Sequence, residues 1–572
     1  MKKQQTTLKI DLTNKQTELE IVSTSKLSLE EKLGGIGRSF QAFEKYLKNN
    51  PNAGDTNDPS SLISIDTGSF TGSLSTSMRT YITFISPQKR SYSKANGIFY
   101  STASGGLAQK IAGNGIDSLH LTGKSNEPVY IVLENGEVKF KNAEFLKDLK
   151  THERILKLSK RYDNAAFAVI GPSANNDVLF ASVAFSTNDQ LKKDSNHMRF
   201  AGRGGSGYAL AKKGIQAIVV IGDDYKQKSQ IIKRINKITA NKNGRSKKYR
   251  REGTFFGNIE SMHALGYHVI DNFSRGRDNR TEKLFREALL QDGYEIDNKG
   301  CLGCVVKCWK EIKKDGVVLG KLDFEPGILL GQNLGIYELK QTMELIEICD
   351  QYGIDAMSSG VCLGYELDRL DKFGDFAFTK DLLLNIAKGN HDLKQGLLRY
   401  VENNDFSTKN AMHVKGIELA AYPGNGNPGY AFSIAGPHTS LDTYTRGVNF
   451  PEDNNISGWI ANIWDRGLNI LLYDMISIDK FEKATFEEVC ELYQEIYEED
   501  ISVSDLRNAA KRVYMRGRRI DEMQGFTSND DILPINCHQP LQGLVIPHFN
   551  TKSFFKQVKE GVYEKMREFE LD

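Results

Sequence analysis

The stretch CLGCVVKCWKEIKKDGVVLGKLDFEPGILLGQNLGI, residues 301–336, is the part of the chain from which fold and function are best interpreted. It opens with three cysteines spaced by two and three residues, Cys301, Cys304 and Cys308. Thiolates at this spacing can bend around one centre, and the spacing alone suits a structural zinc site and an iron–sulfur cluster about equally. The next cysteine, Cys349, lies far downstream on a helical pattern. We therefore expect a distant residue to complete the site.

Length and composition set the broad class of the protein. At 572 residues the chain is long enough for about three or four domains of roughly 150 residues each. The net charge of +2 gives no electrostatic case for a nucleic-acid or membrane partner. The sequence has no secretory signal and no run of the roughly 18 uncharged apolar residues that a bilayer span requires. Seven cysteines, three of them crowded, do not form a disulfide framework, so we expect a soluble, cytoplasmic protein.

Strand and turn signals dominate residues 1–224, which we predict to be a β-rich domain. Residues 129–138, VYIVLENGEV, place the pair Asn135-Gly136 between apolar runs, a strong signal for a two-residue hairpin turn. Residues 217–221, AIVVI, indicate a buried strand. The basic run at 240–252, ANKNGRSKKYRRE, has no interleaved aromatic residues and favours a solvated linker at a domain boundary over a nucleic-acid site.

The rest of the chain has mainly helical patterns. We predict a helical middle domain at 225–413 and a helical C-terminal domain at 414–572, which makes the fold class α/β (α+β). In the middle part, an amphipathic helix is expected to end at Gly353, and Asp355 is placed to cap the next helix.

Two glycine-rich loops each contain an arginine, DTGSFTGSLSTSMR at 66–79 and SNHMRFAGRGGSG at 195–207. Exposed backbone N–H groups beside a guanidinium suit phosphate or a polar heterocycle, so both loops could face one anionic ligand. Gly202, Gly204 and Gly207 satisfy G-x-G-x-x-G. A dinucleotide site also requires a buried strand just before the motif, and the preceding KKDSNHMRF is too polar, so we reject that interpretation.

Several separate motifs resemble the aldehyde ferredoxin oxidoreductase family, tungsten enzymes with a bis-pyranopterin cofactor. These are HMRFAGRGGSGYALAKKGIQAIVVIG (197–222), CLGCVVKC (301–308), FEPGILLGQNLGI (324–336), DQYGID (350–355) and GPHTS (436–440). Their order and spacing are more specific than any one of them. The resemblance implies an N-terminal pterin-binding domain followed by two mainly helical domains.

The resemblance also implies the cofactors and the residues that hold them. It implies one tungsten (or molybdenum) bis-pyranopterin, Mg²⁺ bridging the pterin phosphates, and one 4Fe–4S cluster on the three cysteines. Residues expected to contact the pterin are Arg79, Arg199, Phe200, Gly202, Arg203, Gly204, Gly205, Gly207, Asp350, Gly353, Asp355, Asp474 and Ile478. Carboxylates in such a site accept hydrogen bonds from pterin N–H groups. Glu325 and His438 would lie beside the metal.

One departure from the family pattern concerns the fourth cluster ligand. The family's second aspartate motif, D-x-x-G-L-C, ends in a cysteine, whereas this chain has DMISID at 474–479. Asp479 therefore stands where the cysteine is expected, and Ser477 replaces the glycine. Asp479 could ligate the cluster, or a labile fourth iron could leave a three-iron cluster. We favour Asp479, because Cys490 lies eleven residues further along a helical pattern.

A second departure concerns assembly. Some relatives carry glutamate and histidine for a metal between subunits, where this chain has Glu344 and Glu347. The histidine is missing, so the resemblance supports a homodimer only as a possibility.

The resemblance implies oxidation of an aldehyde to a carboxylic acid, with electrons passing through the cluster to ferredoxin or a ferredoxin-like subunit. Glu325, flanked by apolar residues, is expected to be buried with a raised pKa and to accept a proton. His438 is expected to polarise the carbonyl group. Two alternatives remain open: a catalytic subunit like that of benzoyl-CoA reductase within a larger complex, and a non-catalytic electron-transfer subunit.

Overall fold

The computed structural model of the protein describes residues 2–193, 196–301, 303–438 and 440–571. The first third contains two six-stranded sheets. The first sheet has the order β2-β1-β6-β3-β4-β5, and only β1 and β6 pair in parallel. Its strands are β1 (Gln4–Asp11), β2 (Gln16–Ser23), β3 (Ile63–Asp66), β4 (Thr80–Arg90), β5 (Asn96–Ala103) and β6 (Ser118–Thr122).

The second sheet has the order β11-β10-β9-β12-β7-β8, with only β7 and β12 in parallel. Its strands are β7 (Val129–Glu134), β8 (Glu137–Asn142), β9 (Ala165–Ile170), β10 (Val183–Phe185), β11 (Arg199–Ala201) and β12 (Ile215–Ile221). The predicted hairpin is confirmed, because Asn135 (φ +52°) and Gly136 (φ +79°) connect β7 to β8 in left-handed conformations. The predicted buried strand at 217–221 is confirmed as part of β12.

Within the residues that the structure describes, seven helices accompany the two sheets. They are α1 (Leu29–Leu33), α2 (Gly35–Asn49), α3 (Leu107–Gly113), α4 (Thr151–Ser159), α5 (Pro172–Asn175), α6 (Asn188–Lys193) and α7 (Ser206–Lys212). Helix α2 buries Phe40, Phe43 and Leu47 at helical spacing and packs on β3 and β4, which joins its apolar face to the sheet core. The strand before α7 is the three-residue, antiparallel β11, so the rejected dinucleotide fingerprint lacks the parallel strand that it requires.

The middle third is helical around one small sheet. Its helices are α8 (Gln230–Ala240), α9 (Lys247–Leu265), α10 (Arg286–Gln291), α11 (Phe324–Leu329), α12 (Leu339–Tyr352), α13 (Ala356–Leu370), α14 (Phe376–Ala387) and α15 (Leu397–Asn403). Gly353 ends α12 at φ +69°, and the Asp355 side chain caps α13 by accepting from the Met357 N–H, as predicted. The sequence analysis missed the antiparallel sheet of β13 (Tyr294–Lys299), β14 (Trp309–Lys314) and β15 (Val317–Leu322).

The interpretation of residues 240–252 as a solvated linker is confirmed only for its first half, where residues 241–246 form turns and residues 241–243 are exposed. Residues from Lys247 onward form α9, and two arginines of the run, Arg245 and Arg250, bind other parts of the chain. Arg245 donates two hydrogen bonds of 2.6 Å to the Glu488 carboxylate, and Arg250 Nε donates to the Val305 carbonyl oxygen at 2.8 Å. Arg245 and Arg250 therefore connect this run to the last third of the chain and to the cysteine loop.

The described part of the last third contains the two-residue strands β16 (His413–Val414) and β17 (Ile417–Glu418) and six helices. These are α16 (Arg446–Asn449), α17 (Ile456–Ala461), α18 (Ile470–Ile476), α19 (Phe486–Tyr497), α20 (Val503–Met523) and α21 (Lys552–Leu571). Helix α20 packs on α2 so closely that a Cβ on Gly517 would lie 2.8 Å from the Phe40 ring. A β-rich first third followed by mainly helical parts confirms the predicted fold class, and the boundaries at 224 and 413 stay predictions.

One hydrophobic core cluster includes buried residues from all three thirds of the chain. In the described ranges, no helix combines the length and the apolar character needed to cross a bilayer.

Candidate active site

A cavity of about 310 Å³ collects side chains from all three thirds of the chain. The predicted site residues on its wall are Arg79, Arg199, Phe200, Gly202, Arg203, Cys308, Glu325, Asp350, Asp355, His438, Asp474 and Ile478. Motifs separated by hundreds of residues are therefore brought together at one place. Ser195 of the second glycine-rich loop and Thr439 of the GPHTS motif lie outside the described residues.

Four predicted glycines are not on the cavity wall: Gly204, Gly205, Gly207 and Gly353. A Cβ on Gly204 would lie 2.4 Å from the Phe99 ring. One on Gly205 would lie 2.1 Å from the Leu179 carbonyl oxygen. Gly204 and Gly205 also have φ values of +76° and +89°, which favour glycine. These two glycines let the loop approach β5 and the segment before β10, and the wall itself is formed by their neighbours.

Three ion pairs place arginine guanidinium groups on the wall. They are Arg79 with Asp479 at 2.6 Å, Arg199 with Asp323 at 3.3 Å, and Arg203 with Asp355 at 3.3 Å. Burial alone would lower the pKa of these guanidinium groups. The negative charge of the adjacent carboxylates has the larger effect and raises the pKa of Arg79 and Arg199 above the usual arginine range. Arg79 Nε and Arg203 Nη1 are buried without a hydrogen-bond partner among the described residues.

Two further carboxylates on the wall have single partners. Asp350 accepts a 2.6 Å hydrogen bond from Lys321 Nζ, and Asp474 accepts one of 2.9 Å from the Tyr100 hydroxyl. Burial raises the pKa of Asp350, and it raises the pKa of Asp474 to about 6 against the opposing charge of Arg79. Further N–H donors would stabilise the ionised form of each carboxylate, because a buried carboxylate has lost hydrogen bonds to water.

Glu325 and His438 form a pair on the same wall. His438 Nε2 lies 2.8 Å from Glu325 Oε1, and the side chains are 21% and 19% exposed. Burial lowers the pKa of His438, so the neutral imidazole donates its N–H to the carboxylate. Burial would raise the pKa of Glu325, but the hydrogen bond from His438 and the positive charge of Lys480 keep it below the usual glutamate range. The predicted raised pKa of Glu325 is therefore wrong.

The three cysteines lie beside this cavity, and Cys308 lines it. Burial raises the pKa of all three thiols, that of Cys304 to about 12 and that of Cys308 well above its usual value. The charge of Asp479 acts on all three thiols. In the described ranges, no group of three or more histidine, cysteine, aspartate or glutamate side chains is arranged to hold a single metal ion.

Both oxygens of the Asp479 carboxylate already accept hydrogen bonds. Oδ2 accepts from Arg79 Nη2 at 2.6 Å, and Oδ1 accepts from the Phe481 N–H at 2.9 Å. The preceding Ser477 has a left-handed backbone, φ +70°, which explains why the family pattern has glycine there. Its hydroxyl donates to the Arg79 carbonyl oxygen at 2.6 Å, so serine fixes the same turn to the arginine loop.

The polar wall residues that the sequence did not predict include Tyr100, Lys321 and Lys480. Tyr100 and Lys321 lie on β5 and β15, where nothing in the local sequence distinguishes them from ordinary strand residues. Lys480 adjoins Asp479, and that adjacency was the available signal. Burial lowers the pKa of Lys480 against the opposing charges of Glu325 and Asp442.

The two glutamates expected at an inter-subunit position have partners within the chain. Glu344 forms an ion pair with Lys380. Glu347 accepts from Gln351 at 2.8 Å and from Asn196 at 3.0 Å. Both carboxylates thus have side-chain partners within the chain. These contacts give no support to an inter-subunit metal.

Comparison with family models defines the class of the protein. Residues 7–222 match the model of the aldehyde ferredoxin oxidoreductase N-terminal domain, and residues 230–567 match that of domains 2 and 3 of the same family. These matches extend over nearly the whole chain. The chain therefore belongs to the aldehyde ferredoxin oxidoreductase family.

Individual relatives are distant. A tungsten-containing aldehyde ferredoxin oxidoreductase of Thermococcus kodakarensis is 28% identical over 444 residues, covering 70% of this chain and 68% of the relative. An aliphatic sulfonate oxidoreductase, WOR-like subunit, of Pyrococcus furiosus is 26% identical over 470 residues, covering 73% and 70%. Among solved structures, the active-site complex BamBC of benzoyl coenzyme A reductase with 1,5-dienoyl-CoA superposes with a TM-score of 0.76. That match has 17% identity and covers 99% and 96% of the two chains, so it shows the fold.

Family membership implies a tungsten pterin cofactor and an iron–sulfur cluster, and the residues present fit both. The buried Arg79 Nε and Arg203 Nη1 without partners offer donors to an anionic group. Asp350 and Asp474 offer acceptors for ring N–H groups. The three partly buried cysteine thiols beside a carboxylate are donors that iron–sulfur clusters use.

Proposed function

We propose that this protein oxidises an aldehyde to a carboxylic acid with a tungsten (or molybdenum) bis-pyranopterin and passes the electrons through an iron–sulfur cluster to ferredoxin or a ferredoxin-like subunit. The observation that supports this most is the Glu325–His438 pair at 2.8 Å in the cavity that also contains the wall arginines and Cys308. Proton acceptor, anion-binding groups and a cluster thiol thus share one enclosed space.

The reaction converts an aldehyde and water into a carboxylate, three protons and two electrons. The two-electron chemistry is what the metal-pterin group supplies when it is bound. The chain's part is to orient the aldehyde, exclude bulk water and move protons. Glu325, ionised at neutral pH, accepts a proton from the attacking water, and the His438 N–H donates a hydrogen bond to the aldehyde oxygen.

The two roles are coupled through one hydrogen bond. The His438 N–H that lowers the pKa of Glu325 is the same group that would bind the aldehyde oxygen. When His438 turns to the aldehyde, Glu325 loses that hydrogen bond and burial raises its pKa. The carboxylate therefore becomes a stronger base when an aldehyde is present.

The remaining wall residues would hold the cofactors. Arg79 would lie between the pterin and the cluster, Arg203 would donate to the pterin phosphates with their Mg²⁺, and Asp350 and Asp474 would accept from the pterin rings. Cys301, Cys304 and Cys308 would hold the cluster. Asp479 would be the fourth ligand of a 4Fe–4S cluster, and a three-iron cluster is the alternative.

The test is Glu325→Gln in the cofactor-loaded protein, assayed with aldehydes and a viologen dye. We expect kcat to fall by about 10²–10⁴-fold, the usual contribution of a general base, with tungsten or molybdenum content unchanged. Glu344→Gln, an exposed carboxylate paired with Lys380, is the matched control and should retain activity. Full turnover in Glu325→Gln at full metal content would remove Glu325 from the reaction.

The same preparation tests the alternatives. Reduction of an aryl-CoA thioester without aldehyde oxidation would indicate a benzoyl-CoA-reductase-like subunit. A purified protein that holds neither tungsten nor molybdenum would indicate a non-catalytic electron-transfer subunit.

A further inference from the structure

A second, larger cavity opens beside the cysteine loop. It is a groove of about 930 Å³, and Gly303, between Cys301 and Cys304, contributes to its lining. Gly303 is exposed, and a Cβ built on it would meet nothing within 4 Å. Since Cys308 lines the cavity of the candidate active site, one eight-residue loop connects that cavity to this outer groove.

The groove has an excess of lysine. Four exposed lysines line it and form no ion pair with a described residue: Lys192, Lys226, Lys228 and Lys233. A fifth, Lys110, is paired with Asp224 at 3.3 Å, and Asp163 is the remaining acidic residue of the lining. With Asp163 subtracted, the four unpaired lysines give the groove lining an excess of three positive charges. The net charge of the whole chain is +2. The positive charge is therefore concentrated beside the cysteine loop.

The position of two of these lysines is fixed by the residue between them. The Gln227 backbone N–H donates to the Gly72 carbonyl oxygen at 2.9 Å, and its side-chain amide donates to the Ser69 carbonyl oxygen at 3.2 Å. Gln227 is partly buried, whereas Lys226 and Lys228 on either side of it are exposed. The backbone from which the two lysine side chains extend is thus held at the groove.

We infer that this groove is the docking site of an acidic iron–sulfur electron carrier. The inference rests on the proposed function, because it assigns the exit for the electrons that aldehyde oxidation releases. Two carriers that each accept one electron match the two electrons released per aldehyde. Clustered lysines raise the encounter rate of an acidic protein by about 10- to 1000-fold through steering, and a carrier seated here contacts the loop that holds the cluster.

The test is the double variant Lys226→Glu with Lys228→Glu, prepared as full-length, cofactor-loaded protein. Aldehyde oxidation is measured with an acidic ferredoxin and, separately, with benzyl viologen. We expect the KM for ferredoxin to rise about tenfold or more at low ionic strength and the viologen-linked rate to stay unchanged. The difference should shrink in 0.3 M salt, since screening shortens the range of charge interactions.

The matched control is Lys15→Glu with Lys409→Glu, two exposed lysines outside the groove lining that form no ion pair with a described residue. An equal rise in the ferredoxin KM in this control, or no rise in the groove variant, would overturn the inference. Binding of ferredoxin is also measured by calorimetry without turnover. If the protein oxidises no aldehyde even with viologen, the proposed function fails, and loss of ferredoxin binding in the groove variant still tests the site.

A phosphorylated small molecule is the competing occupant of the groove. If coenzyme A binds and ferredoxin does not, and the Lys226→Glu, Lys228→Glu variant loses that binding, the groove is a polyphosphate site and the inference is wrong. If ferredoxin binds and excess coenzyme A leaves its affinity unchanged, the docking assignment is supported.

Discussion

Replacing Asp479 with asparagine keeps the shape of the side chain and removes its charge. In the cofactor-free protein, this leaves Arg79 without its 2.6 Å partner, and the two side chains are only 19% and 17% exposed. Breaking a buried ion pair by removing one partner costs about 3–5 kcal/mol, and residual hydration of the two side chains reduces this to about 2–3 kcal/mol here. We therefore expect the free energy of unfolding, measured in urea, to fall by that amount.

The cofactor-loaded protein tests the second role of this carboxylate. If Asp479 is a ligand, wild type contains four irons per cluster, and Asp479→Asn loses one of them with a change in the EPR spectrum. Asp479→Cys replaces the carboxylate with a thiolate, which can also ligate iron, so it should keep four irons with a different spectrum. Identical iron content and spectra in all three proteins would refute the ligand assignment. A wild-type protein with three irons per cluster would favour the labile-iron alternative. An unchanged free energy of unfolding in Asp479→Asn would refute the stabilisation assigned to the Arg79–Asp479 ion pair.

Two further predictions concern stability. His268 is fully buried and donates to the Ile259 carbonyl oxygen at 2.9 Å, and burial lowers its pKa from 6.5 to about 3. The folded state therefore binds a proton at His268 less readily than the unfolded state does. As the pH falls from 6.5 to 4, we expect the free energy of unfolding to decrease by about 3 kcal/mol. Urea unfolding of His268→Gln should show a smaller decrease over the same pH range. Asp531 is fully buried and paired with Arg518 at 2.8 Å, so Asp531→Asn should cost about 3–5 kcal/mol in the same assay. Asp465→Asn, at a carboxylate 58% exposed, should change stability by less than about 0.5 kcal/mol, and equal effects at both sites would contradict the argument.

The sequence motifs predicted the backbone conformation at the site better than the side-chain contacts made there. Gly353 and Asp355 were placed correctly as the end of one helix and the cap of the next, because a left-handed C-terminus and an N-cap depend on local backbone geometry. Lys321 and Tyr100 were not found, since their contacts with Asp350 and Asp474 span 29 and 374 residues. Local patterns carry no information about which strand residue will meet a distant carboxylate.

Glu325 shows the same limit for electrostatics. Its apolar neighbours in FEPGILL predict burial, and burial alone raises the pKa of a carboxyl group. The decisive contact is with His438, 113 residues away, and it reverses the direction of the shift. The chemical role assigned to Glu325 therefore depends on a hydrogen bond that the local sequence does not contain.

The proposed path of the electrons depends on the two faces of the cysteine loop. Cys308 reaches the inner cavity, and Gly303 reaches the lysine groove on the outside. The Glu325–His438 pair lies on the inner cavity wall and contributes to no lining of the groove. Protons and electrons released from an aldehyde would thus separate at the cavity, the protons through the pair and the electrons through the loop. A variant in the groove should for this reason lower the ferredoxin-linked rate. Glu325→Gln should then reduce the viologen-linked rate by the same factor in the wild type and in the groove variant. A different factor in the two backgrounds would show that the proton and electron routes are not separate.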